Sequence, residues 1–269
     1  MLTGLSLGRR PSMIINYMTY DNRTLNATLI TVFWFCFSIE VGLVLLDIFV
    51  NWQKISSIRA IRRMFNITRE DGIASLFAVV QTFAVAAVCW VIYWIKTNQI
   101  SKRKRATICW LIIAIFFTYM AIDDGALVHE RIGTAFKHWN SGRTLPSYGW
   151  QFILMPGFVL MGIFLGMFLW RQGPGHIRRD WLFIAILCLG IAVVIDYIEG
   201  TKSAFQFLSN HLPLSKAGVS HFAKSLEEFL EMLGMTMFLV IFLRHLFLLT
   251  YKTEICFSNG KASLAPLQK

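Results

Sequence analysis

The sequence predicts an all-α fold, a polytopic membrane protein with six transmembrane helices in a single bundle. Hydrophobic residues make up 56% of the 269 residues and charged residues only 15%, and the mean hydropathy is +0.56. A soluble domain carries closer to a quarter charged residues. In addition, six apolar stretches approach the roughly 20 residues that a helix needs to cross a bilayer.

The six predicted spans follow one another with polar connections between them. They are residues 27–50, 73–94, 106–122, 150–170, 181–195 and 229–250. Residues 27–250 therefore form one transmembrane domain, flanked by an N-terminal tail (1–26) and a C-terminal tail (251–269). Isoleucines at helical spacing after the first span, with arginines between them, predict a short helix in the headgroup plane. The third helix is expected to continue beyond the membrane and to stop at Gly133.

Because successive spans alternate in direction, the sequence also predicts which acidic residues share a membrane face. Twelve of the fifteen carboxylates belong to one face, with Glu40 lying inside the first span. The twelve are Glu40, Asp47, Glu70, Asp71, Asp123, Asp124, Glu130, Asp196, Glu199, Glu227, Glu228 and Glu231. Carboxylates near hydrocarbon are costly, so this grouping requires a physical reason.

Helical spacing places several of these acids in pairs on one helix face. Asp123 and Glu130 are seven residues apart, as are Glu40 and Asp47, and such residues share a face. Two histidines lie in the same layer, and carboxylates with imidazoles are the ligands of di-iron and di-manganese sites in helical bundles. The candidate metal ligands are Asp123, Asp124, His129, Glu130, Glu199, His221, Glu228, Glu231 and Glu40.

The expected cofactor is a divalent metal, with iron or manganese favoured over zinc, which needs only three or four ligands. A redox-active metal predicts oxidation of a lipid or other hydrophobic substrate, and a metal that activates water predicts hydrolysis. Acids at the C-terminal ends of the third and fifth spans favour a bound cation, because helix dipoles repel them there.

Other interpretations of the acidic layer stay open. It is also consistent with a proton- or ion-handling transport protein, and with an accessory subunit of a larger membrane complex. The acids are also expected to pair with their neighbours, as Lys224 does with Glu228 at the i,i+4 spacing of a helical ion pair.

The net charge of +11 indicates contact with anionic headgroups rather than with nucleic acid, because the basic residues are spread over every loop. The expected partners are therefore the lipid bilayer and possible other membrane subunits, and no nucleic acid. The basic cluster at residues 102–105 is the densest of the chain. By the positive-inside rule it predicts that both termini are cytoplasmic and that the acidic layer lies outside.

Three short motifs border the acidic layer. They are Phe65-Asn66-Ile67-Thr68-Arg69-Glu70, Asp123-Asp124-x4-His129-Glu130 and Glu227-Glu228-x2-Glu231-Met232-x-Gly234. Together they resemble a family of uncharacterised bacterial multi-pass membrane proteins with Asp-Glu-x4-His-Glu and Glu-Glu-x2-Glu-Met-x-Gly motifs. The resemblance covers residues 60 to 245 and implies a protein of the bacterial inner membrane, but no activity. This chain has Asp124 where the family has glutamate.

Overall fold

The computed structural model describes residues 22–98, 104–139, 147–172, 177–201, 207 and 215–258. Most of the predicted N-terminal tail, the last residues of the C-terminal tail, and residues 102 and 103 of the basic cluster lie outside the described residues. The described helices are α1 (Asn22–Asp47), α2 (Arg59–Met64), α3 (Ile73–Asn98), α4 (Lys104–Ala126), α5 (Val128–Trp139), α6 (Gly149–Trp170), α7 (Arg179–Gly200) and α8 (Lys216–Ser258), with a π-helical turn at Ile48–Trp52 after α1.

Six of these helices are long and apolar enough to cross a membrane, so the predicted all-α, six-span fold is confirmed. The spans are Arg23–Trp52, Ile73–Asn98, Lys104–Ala126, Gly149–Trp170, Arg179–Gly200 and Lys216–Thr250. Each of the six extends beyond its predicted boundaries at one end or at both. Hydropathy falls where polar residues begin, but the backbone stays helical because its hydrogen bonds are internal to the helix.

The last helix, α8, forms the centre of the bundle. It packs against α1, α3 and α7, and 67% of its most apolar stretch is buried, against 11% to 33% in the other five spans. Its aromatic side chains Phe238 and Phe242 lie fully buried among Trp110 and Phe117 of α4. Gly234 lets α7 approach closely, since a Cβ atom there would lie 2.9 Å from the side chain of Leu189.

The connection between α1 and α3 contains the short helix that the sequence predicts. Ile55 and Ile58 are 70% and 57% exposed just before it. The guanidinium groups of Arg69 and Arg63 both donate hydrogen bonds to Asp71. These two bonds hold the pKa of the Asp71 carboxyl well below its usual range. Asp71 is therefore neutralised within its own loop.

The prediction that the third helix stops at Gly133 is wrong. The helix breaks earlier, at Leu127, whose φ of 55° is left-handed, and α5 then continues through Gly133. Gly133 instead allows α5 to cross α6, because a Cβ atom there would lie 2.8 Å from the backbone nitrogen of Trp150. A Cβ at Gly149 would lie 2.7 Å from the Gly133 carbonyl oxygen. This crossing fixes α5 over the end of the bundle.

Candidate functional site

The break at Leu127 brings Asp123 and His129 together. Asp123 Oδ1 accepts a hydrogen bond from the backbone N–H of His129 at 2.7 Å, and its Oδ2 lies 2.9 Å from the imidazole Nδ1. A carboxylate that binds a free N–H in the first turn of a helix caps that helix. Asp123 therefore caps α5 and also orients the His129 ring, which meets Trp150 edge to face.

The environment of His129 favours its protonated form. Burial lowers the pKa of His129, but the hydrogen bond to Asp123 and the charges of Asp123, Glu130 and Glu70 outweigh this effect. The pKa is therefore raised above the usual 6.5. A protonated imidazole donates from both nitrogens and offers no lone pair to a metal.

The second histidine is also paired with an aspartate. Asp47 at the end of α1 is 2% exposed, and its Oδ2 lies 2.7 Å from Nε2 of His221 in α8. Its other oxygen, Oδ1, accepts a hydrogen bond from the Asn51 side chain at 3.0 Å. This contact joins the first and last helices at the acidic end of the bundle.

Three other carboxylates accept hydrogen bonds from uncharged side chains of neighbouring helices. Thr82 donates to Asp124 Oδ2 at 3.0 Å, Gln151 to Asp196 Oδ2 at 2.7 Å, and Ser220 to Glu199 Oε1 at 2.6 Å; each bond joins two helices. Each of these partners satisfies one oxygen of its carboxylate and supplies no positive charge.

The centre of the site is an excess of carboxylates on α8 and its neighbours. Glu231 interacts electrostatically with Glu228, Glu227, Asp124 and Asp196. Glu227 is 8% exposed, and its Oε2 has no hydrogen-bond donor among the described residues. We define the acidic cluster as Glu70, Asp124, Asp196, Glu199, Glu227, Glu228 and Glu231.

Among the residues that the structure describes, one lysine lies within this cluster. Lys224 interacts electrostatically with Glu227, Glu228, Glu199 and Glu70, which come from the loop before α3 and from both α7 and α8. It is therefore a shared counter-ion rather than the partner of Glu228 alone, although the i,i+4 spacing predicts that pair. A single ammonium group balances one of the seven negative charges that the ionised cluster would carry.

Glu70, at the outer edge of the acidic cluster, pairs with Glu130, which lies outside the cluster. Burial, followed by a hydrogen bond with Glu130 and the charge of Glu130, raises the pKa of the Glu70 carboxyl, while Lys224 and His129 act in the opposite direction. A groove of about 420 Å³ opens beside the pair and is lined also by Arg69. Glu70 is the member of the acidic cluster that lines this groove.

Glu40 lies apart from the acidic cluster, in a second polar group inside the bundle. The carboxylate is fully buried, and its Oε1 accepts hydrogen bonds from Gln81 of α3 at 3.0 Å and from Thr236 of α8 at 2.5 Å. We call Glu40, Gln81 and Thr236 the Glu40 triad. The seven-residue spacing from Asp47 therefore does not bring Glu40 into the site at the membrane face.

Apart from Glu40, the predicted ligands come to one end of the bundle, but they do not converge on one point. Among the residues that the structure describes, no group of three or more histidine, cysteine, aspartate or glutamate side chains is arranged to hold a metal ion. Asp123 and His129 pair with each other, His221 pairs with Asp47, and Glu40 belongs to the triad. The predicted metal-binding character is therefore not supported by the geometry.

Sequence reasoning missed several members of the site. Asp196 and Glu227 lie outside the predicted ligand set, as do the uncharged partners Gln81, Thr82 and Gln151. Their signal was present in the sequence, because each is a polar residue within or at the edge of an apolar span. Polar side chains inside a membrane bundle tend to bind partners on other helices.

The fold and this site define the class: an integral membrane protein of six helical spans with a buried acidic cluster at one end of its bundle. The chain belongs to the family described as a domain of unknown function (DUF8692), which matches residues 27–246. No curated protein and no solved structure matches the chain. The predicted membership of an uncharacterised family is thus confirmed.

Proposed function

We propose that the acidic cluster binds cations, either protons or a divalent metal, at one face of the membrane. The observation that carries this proposal is the surplus of carboxylates around Glu231, which interacts with four other acids. Among the described residues, Lys224 and His129 are the cationic groups that act on the seven acids of the cluster. Uncompensated carboxylates at membrane depth are strongly unfavourable. A bound cation removes this cost.

The unsatisfied oxygens of the cluster support the same proposal. Glu227 Oε2 and Gln151 Oε1 are buried without a donor among the described residues, and both side chains neighbour Asp196, the first electrostatically and the second by a hydrogen bond. Buried acceptors normally have partners. A metal ion or a proton on one of the carboxyl groups is the kind of partner that they lack.

The first form of the proposal is a divalent metal, for which the ligand inventory favours iron or manganese over zinc. Carboxylate oxygens suit these ions, but the side chains would have to move together, because they do not form a cage as they stand. A metal at this depth acts on a lipid or another hydrophobic substrate. A redox-active ion would oxidise it, and a Lewis-acidic ion would activate water.

The second form is proton or ion handling by the same carboxyl groups. The specific observation in its favour is that carboxylates of the cluster are bound one by one to Thr82, Gln151 and Ser220. A chain of separately held, exchangeable groups suits proton binding better than coordination around one centre. A proteoliposome assay of proton or cation flux tests this form.

Elemental analysis of the purified protein separates the two forms. Stoichiometric iron or manganese that is lost in Glu231→Gln supports the metal. Proton uptake between pH 5 and pH 8 without metal, reduced in the same variant, supports proton handling. Asp180→Asn is the matched control, since Asp180 lies in the first turn of α7, away from the cluster, and pairs with Arg178 at 2.5 Å. If Glu231→Gln and Asp180→Asn behave alike in both measurements, the proposal is wrong.

The orientation belongs to the proposal as well. With the basic residues at 102–105 in the cytoplasm, both termini are cytoplasmic and the acidic cluster lies at the outer face of a bacterial inner membrane. A reporter fused to the C-terminus that is active in the cytoplasm supports this orientation. Activity of the periplasmic reporter alone contradicts it.

A further inference from the structure

A carboxyl group lies inside the membrane part of the bundle where none of the described residues faces it with a positive charge. Glu40 is 0% exposed and is enclosed by α1, α3 and α8. Its two hydrogen-bond partners, Gln81 and Thr236, are uncharged and are themselves 4% and 0% exposed. An ionised carboxylate in such a position, without a paired cation, is strongly unfavourable.

The Glu40 triad has fewer hydrogen-bond donors than its buried acceptors require. The Gln81 amide donates to Glu40 Oε1 and to Thr236 Oγ1, and the Thr236 hydroxyl donates to the same Glu40 oxygen. These bonds use every donor that the two side chains have. Two buried acceptors then remain without a partner among the described residues, Glu40 Oε2 and Gln81 Oε1. One proton on the carboxyl group supplies the missing donor.

The titratable groups that face Glu40 do not provide an alternative counter-charge. They are the thiols of Cys36, one turn earlier in α1, and Cys188 of α7, and both interact electrostatically with Glu40. The other two packed helices, α3 and α8, contribute Gln81 and Thr236. Thiols are neutral or negative, so neither thiol supplies a positive charge to balance an ionised Glu40.

We infer that Glu40 is a proton-binding site within the membrane, and that it holds an exchangeable proton at neutral pH. Acids of the membrane face lie within about two helical turns of the triad on the same helices. Thr236 follows Glu231 by five residues and Glu40 precedes Asp47 by seven, about 8 Å and 10 Å along a helix axis at 1.5 Å per residue. This site differs from the proposed cation site in position and in partners, and it requires no metal.

Infrared spectroscopy of the purified protein tests the inference directly, because protonated and ionised carboxyl groups absorb at different frequencies. In the wild-type minus Glu40→Gln difference spectrum at pH 7, we expect a band in the carbonyl region of protonated carboxylic acids. The band should move to lower frequency after transfer to D₂O, because the proton exchanges. If the Glu40→Gln variant instead loses absorbance in the region of ionised carboxylates, the inference is wrong. A band that keeps its frequency in D₂O would show that the proton does not exchange.

A second variant keeps Glu40 and tests the assignment independently of any folding defect in Glu40→Gln. Thr236→Val removes one donor to Glu40 Oε1 with little change in shape, so the same band should shift to higher frequency. An unchanged band in Thr236→Val contradicts the assignment to the triad. The control Asp180→Asn should leave this region of the spectrum as in the wild type. If Asp180→Asn also loses the band assigned to Glu40, the inference is wrong.

Discussion

Asp123 at the end of α4 caps the following helix through two contacts with His129. One carboxylate oxygen accepts a hydrogen bond from the backbone N–H of His129 at 2.7 Å, and the other lies 2.9 Å from the imidazole Nδ1. The six-residue spacing of the motif follows from this double contact. Helix α4 must end and α5 must begin between the two residues, which is what the left-handed Leu127 achieves.

Replacement of Asp123 should therefore lower the free energy of unfolding by an amount that depends on which of the two contacts is lost. Asp123→Asn keeps an oxygen for the backbone N–H but loses the charge that faces His129, whereas Asp123→Ala loses both contacts. We expect a loss of about 1–2 kcal/mol for the first and a larger loss for the second. Thermal unfolding in detergent, followed by tryptophan fluorescence, measures both. Equal losses would show that only the charge facing His129 matters, and no loss in Asp123→Asn would show that only the cap matters.

The contribution of the His129 pair should depend on pH with a defined sign. The pKa of folded His129 is raised above the unfolded value of 6.5, so the folded state binds the proton more tightly. The stabilisation is therefore complete below pH 6.5 and is lost as the pH rises through the folded pKa. The difference in melting temperature between wild type and His129→Gln should be larger at pH 5.5 than at pH 9. A difference that grows with pH would contradict this assignment.

The Glu70–Glu130 pair predicts the effect of a glutamine at position 130. The pKa of folded Glu70 is raised above its usual 4.5 by burial and by Glu130, so the stability that Glu70 contributes is lost as the pH rises through the folded pKa. Glu130→Gln removes the repulsion and should raise the melting temperature at pH 8, with little change at pH 4. Asp71→Asn, which breaks the bonds to Arg63 and Arg69, should not raise it. A lower melting temperature for Glu130→Gln at pH 8 would show that Glu130 stabilises the loop.

The crossing of α5 over α6 predicts that Gly133 does not tolerate a side chain. Gly133→Ala places a methyl group 2.8 Å from the Trp150 backbone nitrogen, and overpacking of this kind costs typically about 1–3 kcal/mol. Gly157→Ala in α6 is the matched control, since a Cβ there meets nothing within 4 Å. Thermal unfolding compares the two variants. Equal stability of both would show that the crossing is loose.

The sequence predicts the spans well because each is a long apolar stretch that must form its hydrogen bonds within a helix. The span predicted at 229–250 begins later than α8, which starts at Lys216, because polar residues are mixed with apolar ones before Phe229 although the helix is continuous. The break at Leu127 was not predictable from local signals, because leucine rarely adopts a positive φ. No glycine or proline stands at that position to indicate it.

The same break explains which parts of the site sequence reasoning could not foresee. Seven-residue spacing places Asp123 and Glu130 on one face only if the helix is continuous, and it is not. Acids after the third span are expected to be unfavourable at a C-terminal helix end, but the carboxylate of Asp123, in the last turn of α4, accepts a hydrogen bond from the first turn of α5. The partners of Asp47 and Glu40 come from α8, 174 and 196 residues away, and no spacing rule reaches that far.

The central position of α8 has a consequence for the order in which the bundle assembles. Helices α1 and α3 are synthesised first, and each carries a polar group of the Glu40 triad into the bilayer before Thr236 exists to bind it. Until the last helix inserts, Glu40 and Gln81 have only each other and water as partners. The final span therefore completes the hydrogen bonds of the first two. A ribosome that stalls before α8 would leave the side chains of Glu40 and Gln81 in the lipid without Thr236, where quality-control proteases could recognise them.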